Sequence, residues 1–243
     1  MEWIQHLCAS EEGIWVYRPE NGRLVIYENQ PGDFYGLRSG LESIPQKKSW
    51  ELPLFTGIIA AINVIVFVVL ECMGSTESAT FIAEHGGMYP DFVLEEGEWW
   101  RILTAMFLHF GAAHLLNNMV IFCCVGSRLE RAVGHIRFLV IYFLSGIGGG
   151  LLSLFMMVHT GDYAVSAGAS GAIFGVIGGF LWAVIRHRGR LEGVTARGMM
   201  LMIALSLYYG FSTIGIDNWC HVGGIITGFV ASVILYHGKC QKD

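Results

Sequence analysis

Six apolar stretches, each close to the ~20 residues a helix needs to cross hydrocarbon, dominate this chain and limit what it can become. They run at about 54–72, 101–125, 137–158, 168–186, 198–216 and 219–237. The last two are separated only by Asp217 and Asn218, which predicts a tight helical hairpin. Charged residues are 14% of the 243 and hydrophobic ones 53%, whereas soluble domains carry roughly 25% charge. The composition is that of a polytopic membrane protein. A net charge of −5 argues against a nucleic-acid partner. The six cysteines form no CxxC pair or disulfide framework, so a secreted scaffold or zinc ribbon is not expected.

Cations set the orientation. Lys47 and Lys48 precede the first stretch, Arg128, Arg131 and Arg137 lie between the second and third, and Arg186, Arg188, Arg190 and Arg197 lie between the fourth and fifth. Lys239 and Lys242 follow the sixth. The opposite side holds Arg101 among six acids from Glu77 to Glu98. The positive-inside rule then predicts six spans with both termini cytoplasmic. The start, acidic and without an apolar core, does not read as a cleaved signal peptide, and this topology suits a bacterial plasma membrane.

Three parts follow: an N-terminal cytoplasmic segment over 1–50, a membrane domain over 51–238 and a tail over 239–243. In the first, Ile14–Tyr17 and Leu24–Tyr27 flank Pro19-Glu20-Asn21-Gly22, which predicts a β-hairpin. The acidic segment 73–100, long for a connector, ends in Trp99-Trp100-Arg101.

Strongly polar side chains are costly in hydrocarbon, so each is a functional candidate. The fourth stretch opens with Gly168-Ala169-Ser170-Gly171. The sixth holds His221, and the second holds His109, His114, Asn117 and Asn118. Counting back from the cytoplasmic cations at 1.5 Å per residue puts Ser170 about 24 Å, His221 about 27 Å and His114 about 21 Å up. Three separate stretches thus bring a hydroxyl and two imidazoles to one layer, nearer the outer face. Gly171 with Gly175, and Gly224 with Gly228, form GxxxG ridges that let two helices approach closely enough for a Ser–His bond.

Such a pair has an evident chemistry: the imidazole takes the hydroxyl proton, the oxygen attacks a carbonyl, and the imidazolium protonates the leaving amine. His114 and Asn118, spaced i, i+4, share a helix face and can aim at one oxyanion, joined by backbone N–H groups at Ser170. Asn117 points elsewhere, toward an interhelical bond. Asp217 is four residues before His221 but stands at a helix start, where capping is the preferred reading. A dyad is therefore favoured over a triad. Phe174, four after Ser170, either stacks on His221 or is plain core. No HExxH, Walker or Rossmann pattern appears, and GxSxG would need Gly at Ala172.

These residues resemble a known family. His114-Leu-Leu-Asn-Asn118, Gly126-Ser-Arg-Leu-Glu130, Tyr142 through Gly146 and Gly150, Gly168-Ala-Ser170-Gly171 and His221-Val-Gly-Gly224-Ile-Ile-Thr-Gly228 together resemble the rhomboid family of intramembrane serine proteases. Trp100-Arg101 resembles its first-loop motif. The likeness spans roughly residues 54–237 in the family's order and spacing. It implies an all-α, six-transmembrane-helix bundle with Ser170 as nucleophile and His221 as base. It also implies an oxyanion hole of His114, Asn118 and the Ser170 backbone, structural roles for Arg101 and Glu130, and Phe174 against the catalytic His. Substrates would be single-pass membrane proteins cut near the outer face, with the fifth helix as gate and no metal or cofactor. The alternative is a non-catalytic rhomboid-like chaperone that binds transmembrane helices.

Overall fold

The computed structural model describes strands 7–10, 13–18 and 23–27, and residues 53–213 and 215–237. The chain divides into two units, 1–50 and 51–243, each considered by itself. In the first, β1 (Leu7–Ser10), β2 (Gly13–Arg18) and β3 (Arg23–Tyr27) pair antiparallel in sequence order, with Trp15 opposite Ile26 and Val16 opposite Val25. The expected turn, 19–22, lies outside the described residues, as do 238–243.

The second unit is helical. Among the described residues, four helices are long and apolar enough to cross a membrane: α1 (Leu54–Met73), α5 (Gly111–Val133), α6 (His135–Thr160) and α9 (Asn218–Leu235). Two further apolar helices are shorter, α7 (Ser170–Arg186) and α8 (Ala196–Phe211). Each coincides with one of the six apolar stretches, with two differences. The second stretch is not one helix. Its start forms a short helix α4 (Arg101–Thr104) and a 3-10 turn, and α5 begins only at Gly111, whose φ of +72° breaks the helical path. Nor do the last two stretches meet in a tight hairpin, because α8 stops at Phe211 and a linker through Gly215 (φ +84°) precedes Asn218.

Helix α7 is the centre. Twelve of its 17 residues are buried, against only Met199 and Gly210 in α8. Phe122, Phe138, Ile141, Tyr142 and Phe180 fill the core between α5, α6 and α7. Outward faces carry exposed apolar side chains such as Ile65, Leu116, Ile226 and Ile234, which water would not tolerate as a continuous band. Glu130, buried on α5, lies near that helix's C-terminal end. Its carboxylate accepts from the backbone N–H groups of Phe55 (2.9 Å) and Thr56 (2.8 Å), the Thr56 hydroxyl and His135 Nδ1 (2.6 Å). One side chain thus satisfies two of the orphan donors that start α1 and ties α1 to α5 and α6.

The acidic segment is folded rather than slack. It holds α2 (Ala79–Glu84) and α3 (Pro90–Leu94), wrapped around Arg101. The Arg101 guanidinium donates to the carbonyls of Ala83 and Gly87 (3.1 Å), pairs with Glu98 (2.5 Å) and lies 4.3 Å over the Phe92 ring. Trp100 stays half-exposed with its own ring 4.8 Å from that guanidinium.

Candidate active site

Helices α7 and α9 meet with almost no side chains between them. A Cβ at Gly224 would strike the Gly171 carbonyl, and one at Gly228 would strike that of Gly175. Only glycine allows backbones this close. The approach is what lets two short-reach groups touch: Ser170 Oγ lies 2.9 Å from His221 Nε2. His221 is buried and Ser170 half-buried. The Phe174 ring stacks on His221 with centroids 4.2 Å apart and planes 21° from parallel, so the imidazole has one flat wall. Of the two readings open for Phe174, the stacked one is observed.

The segment before Ser170 is held by the 3-10 turn and the loop that join α4 to α5. Gly168 donates to the Ala105 carbonyl (2.9 Å) with φ at +139°, a conformation that favours glycine. Ala169 donates to His109 Nε2 (3.4 Å). His109 is thus a support of the serine loop, a role its lone place in the sequence did not reveal. Its ring meets that of His114 edge-on at 5.2 Å. The first N–H groups of α7, including that of Ser170, have no intrahelical partner by geometry.

His114 Nδ1 accepts from the Phe110 N–H (3.3 Å), so in the neutral ring Nε2 carries the proton. That edge faces Gly168, where an added Cβ would lie 3.1 Å from Nε2. Asn118 is buried and donates to the His114 carbonyl in its own helix (3.0 Å). Asn117 is exposed and makes no interhelical bond among the described residues, contrary to the sequence expectation. Ser170, His221, His114, Asn118 and Asn117 all border one cavity of about 520 Å³. This is large enough for several waters or a peptide segment.

Asp217 caps α9 by accepting from Cys220 N–H (3.0 Å). His221 Nδ1 has no hydrogen-bond partner among the described residues. No group of three or more metal-ligating side chains occurs among the described residues. What the arrangement offers is a hydroxyl bonded to an imidazole, donors on the facing wall and a cavity above them.

The family model described as the Rhomboid domain matches residues 96–238, well over half of the chain. This chain belongs to the rhomboid family. As a rhomboid, it is an integral membrane protein. It is 38% identical over 184 residues to Rhomboid protease GluP of Bacillus subtilis (strain 168), covering 75% of this chain and 35% of that protein. Against Rhomboid-like protease 3 of Toxoplasma gondii it is 30% identical over 213 residues, 81% of this chain and 77% of the relative. With RHOMBOID-like protein 4 of Arabidopsis thaliana it shares 36% over 156 residues, 62% of this chain and 37% of the other. The chain therefore spans little more than a third of the length of the first and third of these.

Proposed function

We propose that this rhomboid is an intramembrane serine endopeptidase, with Ser170 as nucleophile and His221 as general base. The observation that carries the reading is the 2.9 Å bond between Ser170 Oγ and His221 Nε2, buried between apolar helices and open to a cavity. His221 takes the Ser170 proton as Oγ attacks a peptide carbonyl carbon. The developing oxyanion is met by the Ser170 backbone N–H, by His114 Nε2–H and by Asn118, whose amide exchanges its bond to the His114 carbonyl for the substrate oxygen. The imidazolium then protonates the amine as the C–N bond breaks. A water from the cavity, deprotonated by His221, then attacks the acyl carbon. The imidazolium returns the proton to Ser170 Oγ as the C–Oγ bond breaks and the acid leaves.

All six apolar helices cross the bilayer in this reading, with both termini cytoplasmic, residues 1–50 forming a cytoplasmic segment and 51–238 the membrane domain. At 1.5 Å per residue, the 17 residues of α7 span only about 26 Å, less than the ~30 Å of hydrocarbon. Its neighbours shield it from lipid, so the mismatch costs little. Ser170 at its outer end then lies beneath the headgroups, beside a cavity lined by Val165, Ser166, Ala167 and Gly168. Substrates are single-pass membrane proteins. A substrate helix hides its carbonyls in backbone bonds, so cleavage favours sequences that unwind, with small or helix-breaking residues near the cut.

The non-catalytic chaperone reading gives no reason for a hydroxyl and an imidazole to be hydrogen-bonded inside the cavity. The test is incubation of the purified chain in liposomes with a single-pass reporter. Wild type cleaves it, while Ser170→Ala and His221→Ala each lose on the order of 10³-fold or more, as expected for members of one catalytic unit. Equal cleavage by all three refutes the assignment.

A further inference from the structure

Asp217 does more than start a helix. While one carboxylate oxygen caps α9, the other accepts two hydroxyls, from Ser153 on α6 (2.6 Å) and from Ser166 in the segment leading to α7 (2.5 Å). Ser153 is fully buried in the bundle, and Ser166 is buried at the edge of the cavity, which Asp217 also borders. Bonds of a hydroxyl to a carboxylate are among the stronger ones.

The placement is informative. Ser166 stands four residues before Ser170, and Asp217 stands four before His221. The Ser166–Asp217 bond is therefore a second rung beside the Ser170–His221 bond, joining the same two segments. The Ser166 end is itself fixed. Its backbone exchanges two hydrogen bonds with Met88 (3.0 and 2.8 Å), and the neighbouring Gly87 carbonyl is held by Arg101. His221 Nδ1 receives no bond from Asp217, so the carboxylate is not the acid of a triad.

We propose that Asp217 is a positioning residue that, through Ser166 and Ser153, fixes the His221 end of α9 against the serine segment. This rests on the Ser170–His221 reading of the site. The rung holds the register of two backbones whose reacting atoms tolerate little error, since a misplacement of about 1 Å can cost on the order of 10² in rate. It also extends the hydrogen-bonded frame of the site outward to the first loop and Arg101.

The experiment measures kcat, KM and the thermal midpoint for the full chain in liposomes, with the single-pass reporter, well below every midpoint. The variants are Ser166→Ala, Ser166→Thr, Ser153→Ala, Asp217→Asn and the double Ser166→Ala/Asp217→Asn. Ser166→Ala leaves the cap on Cys220 intact, so it reads the rung without the helix start. Expected are falls in kcat of roughly 5- to 10-fold for Ser166→Ala and for Asp217→Asn, a modest share of that misplacement cost, with KM within about twofold. Ser166→Thr, which keeps the hydroxyl, restores kcat, and the double variant is no slower than Asp217→Asn alone. A lowered midpoint with wild-type kcat in both single variants overturns the proposal, as do additive losses or a change confined to KM. Ser170→Ala, run alongside, separates the two readings: if it cleaves normally the dyad is wrong. If it is dead while Ser166 and Asp217 variants are normal, only the positioning role is wrong.

Discussion

The Gly171 carbonyl occupies the space that a side chain on Gly224 would need. This contact, repeated one turn on between Gly175 and Gly228, sets the distance between α7 and α9 and hence between Ser170 and His221. Gly224→Ala should push the helices apart at a cost of about 1–3 kcal/mol, the range for overpacking a tight interior. Cleavage should fall by more than the folded fraction does. Gly57, on α1, has nothing within 4 Å of an added Cβ and is the control. Gly57→Ala should leave both thermal midpoint and activity near wild type.

Phe174 walls one side of the His221 ring. A stacked pair is worth about 0.5–1.5 kcal/mol beyond its area. Phe174→Ala frees the imidazole rotamer, so kcat should fall up to about tenfold, with little change in KM, since tenfold corresponds to about 1.4 kcal/mol. Phe174→Tyr and Phe174→Trp keep a flat wall and should retain most of the rate. Steady-state kinetics on the three variants decides it. Equal kcat for Phe174→Ala and wild type would make the stack incidental.

Glu130 satisfies two backbone N–H groups, a hydroxyl and His135 with one buried carboxylate. Glu130→Gln puts an N–H₂ against those donors and should cost about 1.5–3 kcal/mol, the scale of hydrogen bonds to a charged group. Thr56→Ala removes one partner only and should cost less. Denaturation in mild detergent measures both. Because the site is far along α5 from Glu130, the folded fraction of Glu130→Gln should retain its specific activity.

Much of this arrangement is legible in the sequence because lipid makes polar residues conspicuous. Ser170, His114 and His221 stand out from apolar stretches, and counting residues from the flanking arginines and lysines brings them to one level. The glycine ridges are equally plain, since Gly171, Gly224 and Gly228 recur at helical spacing. Other features carry no such signal. The break at Gly111 falls inside a stretch that is apolar on average, and hydropathy does not distinguish a 3-10 turn and loop from a continuing helix. Ser153 and Ser166 read as ordinary small residues, and their shared acceptor lies 64 and 51 positions away. His109 differs from a packing histidine only through a bond to a backbone group 60 residues on. Long-range pairing of this kind leaves no local pattern.

The central claim is that Ser170 is made reactive by His221. The most direct measurement is covalent labelling of the intact chain in liposomes with a fluorophosphonate, followed by mass spectrometry of the modified peptide. One adduct is expected, on Ser170, formed far more slowly in His221→Ala and not at all in Ser170→Ala. Labelling at another residue, or equal labelling of wild type and His221→Ala, would contradict it.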